Sequence, residues 1–77
     1  MKYRFVSEEQ FNAWAKQKYA KEFAPHFVKW NDVFETVDLE CEIMADDMTI
    51  HGKWIASTEF YPFMDSDIGT RIEVVEE

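Results

Sequence analysis

Residues 37–57 have the sequence VDLECEIMADDMTIHGKWIAS, which carries the strongest pattern in the chain. Over residues 37–43 apolar side chains alternate with acidic ones, a period of two that is typical of a strand with one buried and one solvent-facing side. A second strand is predicted over residues 48–57, and Asp46 and Asp47 suit the turn between the two strands. The sequence therefore predicts a β-hairpin in the middle of the chain.

The two predicted strands can be paired in a register that suits both of their faces. On the buried face this register pairs Ile43 with Ile50, Cys41 with Gly52 and Leu39 with Trp54. On the solvent face it pairs Glu42 with His51 and Glu40 with Lys53. Apolar side chains meet on one face and acids meet bases on the other, which favours this register. We therefore expect the cysteine to be a buried structural thiol.

The N-terminal third of the sequence predicts a short strand followed by a long helix. Residues 2–6 alternate and predict the strand, with Tyr3 and Phe5 on one face. Ser7 begins a capping-box pattern, and acids follow it in the first turn of the helix. The helix is predicted over residues 8–23, and Pro25 ends it. Its expected apolar stripe consists of Phe11, Trp14, Ala15, Tyr19 and Phe23.

Residues 26–35 allow two interpretations. The spacing of Phe27, Trp30 and Phe34 favours a second short helix. The alternative is a strand over residues 26–30 that turns at residues 31–32.

The C-terminal part predicts irregular structure over residues 60–64, where Pro62 interrupts any ladder, then a turn over 65–70 and a last strand over 71–75. The element order is thus β-α-(α)-β-β-β. We expect an α+β fold in which an antiparallel sheet of three to four strands packs against one long N-terminal helix. Residues 1–77 are expected to form a single domain.

Charge is divided unevenly along the chain. Residues 1–31 carry six basic and three acidic side chains, whereas residues 32–77 carry two basic and thirteen acidic ones, for a formal net charge of −8. Nucleic acids and anionic membranes attract basic surfaces, so we expect neither as a direct partner. The sequence has no signal-peptide pattern and no apolar run of about 18 residues. These observations predict a cytoplasmic protein, in the host cytoplasm if the source is viral.

No arrangement of residues predicts catalysis, a metal or a cofactor. Cys41 and His51 fall on opposite faces of the predicted hairpin, so they do not form a thiol–imidazole pair. Asp65, Asp67 and Glu76 faintly resemble a calcium loop, but the glycine is misplaced and flanking helices are missing. Nucleophile triads, glycine-rich phosphate loops and paired metal-binding cysteines are also missing from the sequence. We therefore expect a protein that is not an enzyme.

The acidic residues suggest the main functional hypothesis. Side chains on one face of a strand lie about 6.6–6.8 Å apart, a spacing close to that of phosphates along a nucleic-acid strand. An acidic face of this kind would bind the basic channel of a nucleic-acid-binding protein and inhibit it, as a nucleic-acid mimic of the phage-inhibitor type. The candidate contact residues are Asp38, Glu40, Glu42, Asp46, Asp47, Asp65, Asp67 and Glu73. The competing interpretation is an ordinary solvated face.

The aromatic run near the C-terminus supplies candidate anchors. Phe60, Tyr61 and Phe63 are expected either to contact the partner or to be buried in a homodimer, because so small a domain has difficulty hiding thirteen aromatic rings. The alternative is that this run folds over an edge of the core. The alternative function is accordingly a self-associating assembly or adaptor domain without nucleic-acid mimicry.

Overall fold

The structure, a computed structural model, describes residues 1–39, 41, 43–57 and 59–75. Within these residues lie the helix α1 (Glu8–Ala15) and the strands β1 (Lys2–Phe5), β2 (Phe34–Glu35), β3 (Met44–Ala45), β4 (Asp47–Ile50), β5 (Lys53–Ala56), β6 (Phe63–Met64) and β7 (Ile72–Val74). Five strands form an antiparallel sheet in the order β5-β4-β2-β1-β7, and β3 pairs with β6 in a second sheet. The predicted α+β class and antiparallel sheet are confirmed, but the helix is shorter and the strands are more numerous than expected.

The first strand and the helix start agree with the prediction. Tyr3 and Phe5 of β1 are both buried. Ser7 is the helix N-cap, and its hydroxyl accepts a hydrogen bond from the backbone N–H of Gln10 at 3.2 Å. The predicted strand over 71–75 is likewise present as β7.

The predicted helix over residues 8–23 is wrong beyond Ala15. Gln17 is extended, and the chain continues as a short 3-10 turn at Lys18–Ala20. A straight helix rises 1.5 Å per residue and would carry Phe23 about 13 Å beyond Trp14. The bend instead brings Phe23 back to the core, where both side chains are fully buried.

Among the described residues, no helix combines the length and apolar character needed to cross a membrane.

Neither interpretation of residues 26–35 is correct. A 3-10 turn spans Ala24–His26, and the chain then enters β2 at Phe34, a central strand between β1 and β4. Phe27 and Trp30 pack against the core from the connecting loop. Their helical spacing therefore reflects loop residues that converge on one core, not a helix.

The central hairpin lies one element later in the chain than predicted: it is formed by β4 and β5, and not by residues 37–43 with residues 48–57. Cys41 lies in a turn, where its backbone N–H donates to the carbonyl of Asp38 at 3.0 Å. Its thiol is exposed, so the prediction of a buried structural thiol is wrong. The observed hairpin pairs β4 with β5 around His51-Gly52, so Lys53 faces Ile50 and Trp54 faces Thr49. Both turn residues have positive φ, +50° and +78°, as a type I′ turn requires. Asp46-Asp47 is therefore not the hairpin turn. The predicted pairs of Glu40 with Lys53 and of Glu42 with His51 involve two residues, Glu40 and Glu42, that lie outside the described residues.

One side of the five-stranded sheet carries the core, and the other faces solvent. The buried side chains of this sheet are Tyr3, Phe5, Phe34, Met48, Ile50 and Ile72. On the solvent side, ion pairs join neighbouring strands, with Lys2 Nζ 3.9 Å from Glu35 and Arg4 Nε 2.7 Å from Glu73. These pairs are exposed, so each contributes little to stability.

Asp32 joins the loop before β2 to the turn of the β4–β5 hairpin. Its Oδ2 accepts hydrogen bonds from the backbone N–H groups of Val28 and Lys29 at 2.8 and 2.9 Å, and lies 2.9 Å from Nε2 of His51. Burial acts to raise the pKa of Asp32, but the Lys29, His51 and Val28 hydrogen bonds and the charge of His51 outweigh it. The net pKa lies below the ordinary value of 3.8.

Replacing Asp32 should therefore give a pH-dependent loss of stability. We expect Asp32→Ala to lower the free energy of unfolding by about 1–3 kcal/mol at neutral pH, because backbone donors lose a charged acceptor. A lowered folded-state pKa stabilises the protein fully above the unfolded pKa, about 3.9, and this contribution is lost as pH falls through the folded value.

Urea unfolding at pH 7 and at pH 3 measures this effect. The difference between wild type and Asp32→Ala should shrink at the lower pH. His51→Asn, which tolerates the positive φ and removes only the ring contact, serves as the control and should lose less. An Asp32→Ala deficit of the same size at both pH values would contradict the assigned role.

Candidate functional site

The described part of the predicted acidic row is not a strand. Asp38 lies in a turn and is half-buried, and Glu40 and Glu42 are outside the described residues. Because the described part of this region is not a strand, the phosphate-like spacing lacks the scaffold on which it depended. The remaining predicted acids are distributed over β4, β7 and the segments that flank the two-stranded sheet.

Four of these acids accept hydrogen bonds from specific groups of the fold. Asp38 Oδ2 accepts from the thiol of Cys41 at 4.0 Å. Asp47 Oδ2 accepts from the indole N–H of Trp54 at 2.9 Å. Asp67 Oδ2 accepts from the backbone N–H of Met64 at 3.0 Å, and Glu73 pairs with Arg4. The exposed members of the predicted set are Asp46 and Asp65.

An apolar groove lies beside the two-stranded sheet, with a volume of about 360 Å³. Its apolar lining is Met44, Phe60, Tyr61, Pro62 and Met64, and its polar lining is Tyr19, Glu59, Asp67 and Arg71. We call this surface the methionine groove. Ile43, next to Met44, is also exposed, at 66%.

The pairing of β3 with β6 places the methionines on the surface. Met44 faces Met64 across the two strands, and Ala45 faces Phe63. Side chains alternate along a strand, so the pair buried against the core forces the methionine pair outward. The backbone N–H of Asp65 donates to the carbonyl of Ile43 at 2.9 Å and extends the ladder.

The predicted anchors separate into two groups. Phe63 is fully buried, so its predicted role as a surface anchor is corrected: the ring belongs to the core. Tyr61 is 55% exposed, Phe60 is half-buried, and both line the methionine groove. The sequence therefore located the segment but not the side chain that points inward.

A buried hydrogen bond holds this segment against α1. The indole Nε1–H of Trp14 donates to the carbonyl of Pro62 at 3.0 Å. The Trp14 ring stacks on Phe63 with 5.2 Å between ring centroids. The position of the groove therefore depends on a contact between residues far apart in the sequence.

The border of the groove carries charges of both signs. Glu59 and Asp65 are exposed, and Asp67 is half-buried. Lys18 Nζ lies 5.8 Å from the centre of the Phe60 ring, a cation–π contact. Arg71 Nη1 donates to the hydroxyl of Tyr19 at 2.8 Å. Glu59, Asp67 and Arg71 thus belong to the lining, Lys18 lies over the Phe60 ring, and Asp65 follows Met64 in the chain.

The groove combines flexible apolar side chains with a polar border. Methionine side chains are flexible and polarizable, and they adapt to apolar partners of different shape. Exposed apolar patches with polar borders are typical of protein interaction sites. Among the described residues, no group of three or more His, Cys, Asp or Glu side chains is arranged to hold a metal ion.

Sequence reasoning missed two exposed features. Trp54, expected in the core, is 68% exposed on β5. Recognition of His51-Gly52 as a type I′ turn would have reversed its assigned face. The exposed Met44–Met64 pair carried no local signal, because it arises from strands that are distant in sequence.

Trp14 should be the residue that fixes the groove. We expect Trp14→Phe to lower the free energy of unfolding by about 1–3 kcal/mol, since the buried carbonyl of Pro62 loses its donor. Trp30→Phe is the matched control, because Trp30 packs at the edge of the core and is only partly buried. Urea unfolding followed by circular dichroism compares the two. Equal losses for both variants would contradict a special role for the Trp14 hydrogen bond.

The methionine groove and its charged border are the features from which the function is inferred. Their combination, an apolar lining with carboxylates exposed at the border, suits contact with another macromolecule. No protein family, curated protein or solved structure shows significant similarity to this chain.

Proposed function

We propose that this chain is a small acidic binding protein, without a catalytic role, that inhibits a nucleic-acid-binding protein by occupying its basic face. The methionine groove is the contact surface. The observation that carries the proposal is an exposed apolar groove on a protein with a formal net charge of −8. The expected occupant is an apolar side chain of the partner that is flanked by lysine or arginine.

The apolar part of the contact supplies affinity. Met44, Met64 and Tyr61 are each more than two-fifths exposed and lie at one surface. Tyrosine is among the residues that most often dominate binding energy at protein interfaces. Methionine adds adaptable contacts around it. A partner side chain inserted into the groove would therefore bury these residues together.

The charge of the chain selects the partner. Thirteen of the sixteen acids follow Asn31, and most of the groove lining comes from this acidic part. Opposite fields speed the encounter with a basic surface and disfavour acidic ones. Proteins that bind nucleic acids present such basic surfaces to phosphates. Inhibition then follows from occlusion, and it does not require a row of carboxylates at phosphate spacing.

The basic residues of the partner are expected on the Asp65 side of the groove. Asp65 adjoins Ile43 through the β3–β6 ladder, whereas Lys18 lies over the Phe60 ring and the guanidinium of Arg71 is bonded to the Tyr19 hydroxyl. Lys18 and Arg71 would repel a cation placed above Phe60. We therefore expect the partner's lysine or arginine beside the exposed acids Asp65 and Glu59, with its apolar side chain in the groove.

The test is affinity capture from host lysate with matched charge variants. The wild type should retain nucleic-acid-binding proteins that are released by salt and displaced by added DNA. Glu59→Lys with Asp65→Lys should weaken capture about tenfold or more, because both charges border the groove.

The control changes the net charge equally but elsewhere. Glu9→Lys with Glu22→Lys alters two exposed acids in the N-terminal third and should reduce capture only slightly. Tyr61→Ala tests the apolar contact without a change of charge. Capture that resists salt and DNA, or that the two double variants reduce equally, would refute the proposed contact.

A further inference from the structure

The structure also has an open sheet edge, which the methionine groove does not use. We propose that a second copy of the chain pairs with β5 in antiparallel orientation, so that two five-stranded sheets join across a twofold axis. The inference is independent of the proposed function, because β5 contributes nothing to the groove lining.

No strand among the described residues pairs with the outer side of β5. β5 is an edge strand whose sheet neighbour is β4. Residues that flank a two-residue type I′ turn form a hydrogen-bonded pair, which places Ile50 and Lys53 in that role. Hydrogen-bonded and non-hydrogen-bonded pairs alternate along an antiparallel ladder, so Asp46 and Ser57 should again be a hydrogen-bonded pair. The bond from the Ser57 N–H to the Asp46 carbonyl at 3.0 Å agrees with this. The backbone groups of Trp54 and Ala56 consequently point away from β4.

The opposite edge of the sheet is protected in a way that β5 is not. Gly69 donates its N–H to the carbonyl of Ile72 at 2.7 Å, and Ile68 forms a parallel bridge with Ile72. The turn that precedes β7 thus covers part of the β7 edge. Exposed edges are templates for pairing with another chain, and β5 is the more open of the two edges of the five-stranded sheet.

Trp54 and Ala56 make this edge self-complementary. Backbone hydrogen bonds between two copies can form only where residues whose N–H and C=O point away from β4 lie opposite each other. A twofold axis at Ile55 meets this condition, because it pairs Trp54 with Ala56 of the second copy. The small Ala56 leaves space for the indole ring of the other chain. The half-buried Ile55 side chains meet each other on the core side of the joined sheet. The interface therefore combines ladder hydrogen bonds with apolar contact.

The Trp54 ring is held ready for this contact. It is 68% exposed, yet its N–H is bonded to Asp47 Oδ2 on the neighbouring strand at 2.9 Å. An aromatic side chain that is already ordered loses less conformational entropy on binding. Tryptophan is also enriched among residues that dominate interface energy.

The charges at the β5 edge do not oppose the dimer, whereas the net negative charge of each copy repels the other weakly at long range. Lys53 is the only charged residue of β5, and in this register it faces the uncharged Ser57 of the second copy. No like charges are directly opposed at the ladder. Each copy carries −8 overall, so added salt should strengthen association by screening. Capture of a basic partner should respond to salt in the opposite direction.

Sedimentation equilibrium over a range of protein and salt concentrations tests the association. The wild type should form a dimer, more strongly at higher salt, and Trp54→Ser should raise the dimer dissociation constant about tenfold or more. Ala56→Pro removes an outward N–H and should have a similar effect, with circular dichroism to check that each variant is folded. A wild type that stays monomeric at every concentration would overturn the proposal.

Cross-linking tests the register and keeps the proposal separate from the groove. In a Cys41→Ser background, Ile55→Cys should form an intermolecular disulfide under mild oxidation, whereas Val74→Cys on the β7 edge should not. The Glu59→Lys, Asp65→Lys variant should still dimerise. Equal cross-linking at both edges, or cross-linking of Ile55→Cys to a captured protein in preference to a second copy, would refute this interface.

Discussion

The hydrogen bond from the Trp14 indole to the Pro62 carbonyl is the constraint on which the arrangement of the molecule depends. Trp14 is fully buried, and a buried indole N–H needs an acceptor. The acceptor is the Pro62 carbonyl, which reaches Trp14 because residues 62–63 lie against α1. Phe63 then fits between Trp14 and Phe34, with centroid distances of 5.2 and 4.7 Å.

This packing also determines what the surface presents. Because Phe63 must point into the core, its neighbour Met64 must point outward. Ala45 opposite Phe63 is buried in the same way, which turns Met44 outward beside Met64. Pro62 cannot donate to a ladder, so β6 begins only after it. The methionine groove is therefore a consequence of the core, and its shape should persist as long as the aromatic stack does.

Local signals in the sequence predicted the elements that depend on local physics. Ser7 capped the helix as expected, and the alternation around Tyr3 and Phe5 gave the first strand. The alternation over 37–43 failed because Leu39 is buried from a turn, where its N–H is bonded to the Tyr3 hydroxyl at 3.2 Å. A contact across 36 residues overrides a pattern of period two. For the candidate site, the sequence located Phe60 and Tyr61, whereas the methionine pair required the strand pairing itself.

The acidic residues fall into two groups: some accept hydrogen bonds within the fold, and others remain exposed. Asp32, Asp47 and Asp67 each accept a hydrogen bond from a defined donor of the fold, so their charges stabilise loops and orient Trp54. A carboxylate used in this way has one acceptor position already filled and is held in the orientation that the fold requires. Glu59 and Asp65 remain exposed beside the methionine groove. Net charge alone therefore says little about where a basic partner would bind; the acids that the fold leaves exposed define that position.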